Sequence, residues 1–204
     1  MTKFLSKVFA IALLGASAAW AGPTAQLDRG ATRVAVDTGF LDALGANGIE
    51  IGTIDRGSLN TNTLTLRFPV RGGVVDADTL EGDIFHVGGL SLSRDDTEVS
   101  LTNFTIETYS TEDALTSTER SPQLTGVVSL NGDVLGRYPL FDLDLSGAGV
   151  DIAGDGRTKI TAVGVAISAA ASLAIDTVFG TGDITGLAVG EARVTTNIVG
   201  LQGE

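Results

Sequence analysis

Hydrophobic side chains recur at every second position over several stretches of the chain. Leu64, Leu66 and Phe68 alternate with Thr63, Thr65 and Arg67, the spacing of a strand that buries one face and wets the other. The same period runs through Ile84–Ser93, Glu98–Thr108, Leu124–Leu130, Val134–Ser146, Lys159–Ile167 and Leu187–Val199. Within Glu98–Thr108 the apolar phase slips, from Val99 and Leu101 to Phe104 and Ile106. One extra residue near Thr102-Asn103 returns both sets to one face, so a β-bulge is predicted there. Asn131-Gly132, set between two such runs, predicts a hairpin, because a type I′ turn needs positive φ at both central positions.

Two stretches keep a helical period instead. After Ser168, a residue suited to an N-cap, Ala171, Ala174, Ile175 and Val178 fall three or four apart, and Gly180 closes the run. A shorter turn follows Asp37, with Phe40, Leu41 and Leu44 on one side and Gly45 as terminator. Tyr109–Ser121, rich in Thr, Ser and Glu, reads as one long loop. Together these elements predict an all-β fold, an antiparallel β-sandwich or flattened barrel, with two short helices plugging its ends.

Composition and charge then narrow the compartment and the partners. The first 21 of the 204 residues read as a signal peptide: Lys3 and Lys7 give a charged start, Val8–Gly15 an apolar run, and Ala19-Trp20-Ala21 a small-x-small cleavage site. The formal net charge of −12 becomes −14 once Lys3 and Lys7 leave with that leader. Charge of this sign repels phosphate backbones, so no nucleic acid is expected as a partner. The absence of cysteine excludes disulfides, thiolate metal sites and a cysteine nucleophile. After the leader no run of about 18 apolar residues remains, so no membrane-spanning helix is expected. Aromatic residues make up only 5% of the chain, which speaks against an outer-membrane barrel with its aromatic girdles. The expectation is an acidic bacterial protein exported to the periplasm or beyond.

Several local motifs resemble reactive sites and fail on their own chemistry. Asp37-Thr38-Gly39 looks like an aspartic-protease triplet, but that reaction needs a second such carboxylate, and Asp176-Thr177 lacks the glycine; Asp37 reads as a helix cap. Asp142 and Asp144 share one strand face, as alternation alone requires, with no neighbouring acid or aromatic platform for sugar chemistry. Asp151–Gly156 resembles half a calcium loop, with Ala153 and Ala162 standing where ligands are needed. Gly180-Thr181-Gly182 follows a helix instead of opening one, so its amides do not cradle a phosphate. No Gly-x-Ser-x-Gly elbow accompanies the single histidine, His86. No catalytic residue, no metal site and no enzyme activity are expected.

In order along the chain, Leu66-Arg67-Phe68-Pro69-Val70-Arg71-Gly72-Gly73, then Leu80–Leu90, then Leu101-Thr102-Asn103-Phe104-Thr105-Ile106, then Pro139–Ser146 resemble the phrases of bacterial secreted Htaa-type (haem-transport-associated) domains. Gly186-Leu187-Ala188-Val189-Gly190 resembles their closing segment. The resemblance implies a twisted β-sandwich with a short helix at the ligand end; with the signal peptide over 1–21 set aside, a single such domain is expected over 22–204. In haem-binding members a tyrosine of the first helical segment ligates iron and a histidine supports it. His86 matches that histidine, whereas the first helical segment here offers Phe40, and Tyr109 and Tyr138 belong to other phrases.

The reading that follows is a non-enzymatic exported module that binds a small apolar ligand or a partner surface. Phe40, His86, Gly88 and Gly89 are its expected ligand-binding residues, the glycines because they let a ligand approach the backbone. No cofactor is expected. A haem-binding or haem-uptake protein is one alternative, and a structural surface-display module without a small ligand is another.

Overall fold

A computed structural model describes residues 24–76, 81–108 and 121–202. The expected leader and the polar loop up to residue 120 lie outside the described residues. In chain order the elements are β1 (Thr24–Val36), α1 (Thr38–Ala46), β2 (Glu50–Ile54), β3 (Ser58–Asn60), β4 (Thr65–Asp76), β5 (Gly82–His86), β6 (Gly89–Arg94), β7 (Thr97–Glu107), β8 (Gln123–Leu130), β9 (Asp133–Asp144), β10 (Gly149–Ile152), β11 (Arg157–Ile167), α2 (Ala169–Phe179) and β12 (Ala188–Gln202).

Eight of the strands close on themselves as an antiparallel barrel, in the order β7-β5-β4-β1-β12-β11-β9-β8 and back to β7. Closure removes the exposed strand edges that an open sheet must protect. The extra strands sit at the margins: β3 pairs with β4, β10 with β11, and β2 with β6. The first half of β7 pairs with β6 and its second half with β5. The change of partner falls at the predicted bulge, where the β7–β8 register slips between Thr102 and Thr105 and Asn103 takes φ 51°.

Ile84–Ser93, read from its period as one strand, is two. Val87-Gly88 interrupts it, with Gly88 at φ 89°, and β6 leaves the barrel wall to extend a flared sheet with β2. Asn131 and Gly132 have φ 50° and 90° and join β8 to β9 as the hairpin requires. Strand β1 is the longest element the periodicity did not reveal, the short β3 and β10 also escaping it. It sits between β4 and β12, and its own bulge at Asp28–Gly30 shifts the inward set from Ala25 and Leu27 to Thr32, Val34 and Val36.

Both helices begin where their caps place them. Asp37 Oδ1 accepts from the Gly39 amide at 2.7 Å, and Ser168 Oγ accepts from the Ala171 amide at 3.1 Å. Helix α1 runs past Gly45 to Ala46, because the Asn47 amide and side chain satisfy its last carbonyls; α2 ends on Gly180 in the left-handed region. The helices do not plug opposite ends. Since β1 and β11 are both antiparallel to β12, they run in the same direction and deliver α1 and α2 to the same rim. Arg94 ties the two there, donating to the Asn47 carbonyl at 3.2 Å and lying 5.4 Å from the Phe179 ring centroid.

Phe104, only 2% exposed, meets Phe68 edge-to-face at 5.1 Å inside the barrel. Phe104→Ala is expected to lower the unfolding free energy by about 3–5 kcal/mol. Thr105, on the outer face, is also buried and accepts a hydrogen bond from Arg137 at 3.3 Å, so Thr105→Ala, which removes that bond and one methyl, is expected to cost about 2 kcal/mol. Denaturant unfolding of the two variants checks the register, and equal losses would refute the bulge.

Candidate functional site

A bulge in a strand turns odd-numbered residues inward on one side of it and even-numbered residues on the other. In β7, Val99 and Leu101 face a groove at the flared rim, while Phe104 and Ile106 face the barrel interior. A second bulge, at Leu140 of β9, does the same: Tyr138 and Leu140 line the groove, and Phe141, Leu143 and Leu145 the barrel. Strand β8 needs no bulge, because Gly126 sits at the boundary. A Cβ there would come within 2.6 Å of Leu140 Cδ1 and 2.9 Å of Phe104 Cδ1, so these two side chains close over the gap that glycine leaves. Leu90 and Phe141 line both spaces and complete the partition.

The groove has a volume of about 490 Å³. Its floor is the inner face of β6, β7, β8 and β9, its far wall is α2, and Phe40 enters from α1. Ala171, Ala174, Ile175 and Val178, the helical stripe read from the sequence, all face this space. The stripe therefore walls a cavity instead of packing against a filled core. Phe179 and Ser172 anchor α2: Phe179 under Arg94, and Ser172 Oγ by donating to Asp183 at 3.0 Å while accepting the Ile184 amide at 2.9 Å. Leu173 is left 68% exposed at the mouth, with Leu135 and Tyr138 also exposed. Tyr138 and Thr177 are the polar side chains of the lining; among the described residues no charged group, histidine, methionine or cysteine reaches it.

His86 occupies the other compartment. It is buried on β5 at 3% exposure, and its Nε2 lies 2.7 Å from Thr32 Oγ1 of β1. Burial among Phe68, Ile84 and Val194 lowers the imidazole pKa from 6.5 to about 4, an effect the nearby Phe104 and Ile84 carbonyls only partly offset. Those carbonyls favour the charged form without forming a hydrogen bond to Nδ1, which has no partner. His86 is thus a neutral polar group in an apolar interior, and its hydrogen-bonding partner is Thr32, not a residue of α1.

The four expected ligand-binding residues are therefore not brought into one place. Phe40 walls the groove and His86 lies inside the barrel. Gly88 and Gly89 do permit a close approach, and what approaches is the chain itself: added side chains would collide with the backbone of Gly57 and of Leu101. Sequence reasoning missed the β6–β9 floor and Gly126. The signal available was the second phase slip, from Tyr138 and Leu140 to Phe141 and Leu143.

No protein-family model matches the chain, and no curated protein resembles it in sequence. Solved structures do resemble its fold. The C-terminal domain of HtaA from Corynebacterium glutamicum superposes with a TM-score of 0.61 at 13% identity, over 87% of this chain and 99% of that one. The N-terminal domain of HtaA from the same organism gives 0.58 at 15% identity, over 85% and 99%. The heme binding protein HtaB, again from C. glutamicum, gives 0.55 at 14% identity, over 88% and 98%. The likeness is one of fold.

The state of His86 has a consequence for stability. The unfolded chain takes up a proton at this residue as pH falls through about 6.5, and the folded protein only near pH 4. Between those values the unfolded state binds more protons, so stability present in full above pH 6.5 is lost as pH falls, by on the order of 3 kcal/mol. Between pH 7 and 4.5 the protein is expected to lose about 2–3 kcal/mol more than His86→Gln does. Urea unfolding of both at the two pH values measures this, and an identical loss in the variant would place the ring in water.

Proposed function

We propose that the protein is an exported, non-enzymatic binding module whose groove takes a small apolar ligand. The observation that carries this reading is a space of about 490 Å³, within the roughly 300–1,000 Å³ of small-molecule sites, walled almost wholly by aliphatic and aromatic side chains. A ligand there replaces water against surfaces the fold leaves unfilled, and each buried methylene stabilises the complex by about 0.8 kcal/mol. The leader grammar of residues 1–21 supports export. The exposed Leu135, Tyr138 and Leu173 at the mouth support a second reading, in which the groove and its rim receive an apolar segment of a partner surface.

The fold likeness to a heme binding protein raises haem as an alternative. The donor set of the groove does not fit it. Tyr138 carries the one phenol of the lining, and its hydroxyl donates to the Leu135 carbonyl at 3.3 Å. No basic side chain faces the groove to meet two propionates, and His86 is enclosed in the barrel with Thr32. An uncharged ligand suits the lining better than a dianionic iron porphyrin.

Titration with the uncharged fluorophore N-phenyl-1-naphthylamine is expected to show saturable enhancement. Ala174→Trp, which fills the groove from an exposed helix position, is expected to weaken binding about tenfold or more. Equal binding by the variant would put the ligand elsewhere. With equimolar ferric haem no sharp Soret band is expected; such a band, lost in Tyr138→Phe or in His86→Ala, would restore the haem alternative.

A further inference from the structure

The outer wall of the barrel carries arginines at matched positions on three adjacent strands. Arg33 of β1 is the register partner of Arg67 on β4 and of Arg193 on β12. Their chain neighbours Leu66, Val34 and Val194 line the barrel interior, so all three guanidinium groups project outward from one face. Neighbouring strands lie about 4.8 Å apart, which sets the three side chains in a row across the sheet. Arg71, on the same face of β4 as Arg67, extends the basic surface, whereas Lys159 of β11, opposite Thr195, is faced on its other side by Asp151 of β10.

Like charges directly opposite each other on paired strands are destabilising. The chain has 25 acidic residues against 13 basic ones, yet among the described residues the ion pairs are Arg29–Asp28 and Arg157–Asp155. None of the three arginines in the row is neutralised, although Glu191 stands opposite Ala35, two positions along the same face from Arg33. An oxyanion bridging neighbouring guanidinium groups removes the repulsion and accepts forked, charge-assisted hydrogen bonds from them.

The outward residues around the row are the small Ala31, Ala35, Thr65, Pro69 and Thr195, with the carboxylate of Glu191 standing beside Arg193 on β12. They make a flat track without the long apolar side chains that wedge into a bilayer or the aromatic rings on which single-stranded nucleic acid stacks. We propose that this face binds a linear oxyanion polymer, bearing phosphate or carboxylate groups, along the Arg67–Arg33–Arg193 row. The net charge repels such a polymer at a distance. Within a Debye length, about 10 Å at 0.1 M salt, the local cations decide the sign of the interaction.

The test is titration of the protein with long-chain polyphosphate and, separately, with polygalacturonate, at 50 and 200 mM salt. Binding that weakens with salt is expected, and the tighter polymer identifies the anion as phosphate or carboxylate. Arg33→Gln, at the centre of the row, is expected to weaken binding about five- to tenfold and to lower the salt slope by about one. Its unfolding midpoint is expected to hold or rise, since a like-charge contact is relieved. Arg157→Gln, whose guanidinium is already paired with Asp155, is expected to leave binding within about twofold. Undiminished binding by Arg33→Gln, or no binding of either polymer at 50 mM salt, would overturn the proposal. Tighter binding to phosphatidylglycerol vesicles or duplex DNA than to both polymers would overturn it equally, by giving the face to another class of partner.

Discussion

Alternation along a strand lets only every second side chain reach a given interior, and this protein builds two interiors from the same strands. The bulges at Thr102–Thr105 in β7 and at Leu140 in β9 resolve that conflict. Each shifts the inward phase by one residue, so a strand that fills the barrel with Phe104 and Ile106, or with Phe141 and Leu143, can wall the groove with Val99 and Leu101, or with Tyr138 and Leu140. Gly126 serves the strand between them, leaving the space into which Phe104 and Leu140 close. Without the two bulges β7 and β9 would present polar residues to one of the two spaces, and a side chain at 126 of β8 would collide with Phe104 and Leu140.

The groove follows from strand direction as much as from sequence. Because β1 and β11 point the same way, both helices arrive at one rim, and Arg94 holds their ends together. Helix α2 is fixed by Phe179 and by the Ser172–Asp183 pair, which leaves its apolar stripe over open space. The barrel below is closed and holds one neutral, deeply buried histidine paired with Thr32. A closed barrel thus lies beneath a loosely filled rim.

Charge is distributed in the same uneven way. The chain is strongly acidic, yet the outer face of β4, β1 and β12 gathers Arg67, Arg33 and Arg193 into one unneutralised row. Net charge governs long-range encounters, and register governs what happens at contact.

The sequence by itself determined the strands whose apolar phase is regular, the bulge that Val99, Leu101, Phe104 and Ile106 jointly require, the Asn131-Gly132 hairpin, and both helix caps. Each depends on residues near one another in the chain. Strand β1 escaped because its inward set begins with the small Ala25 and breaks at Asp28–Gly30, so no single period spans it. Strand pairing, and with it barrel closure and the shared rim of the helices, was decided only in the tertiary structure. So was the separation of Phe40 from His86, which lie in different compartments although the sequence suggested one site. Periodicity reports which side of a strand is apolar; whether that side meets packed neighbours or an empty groove depends on strands far away in the chain, and so does the neighbour an arginine faces.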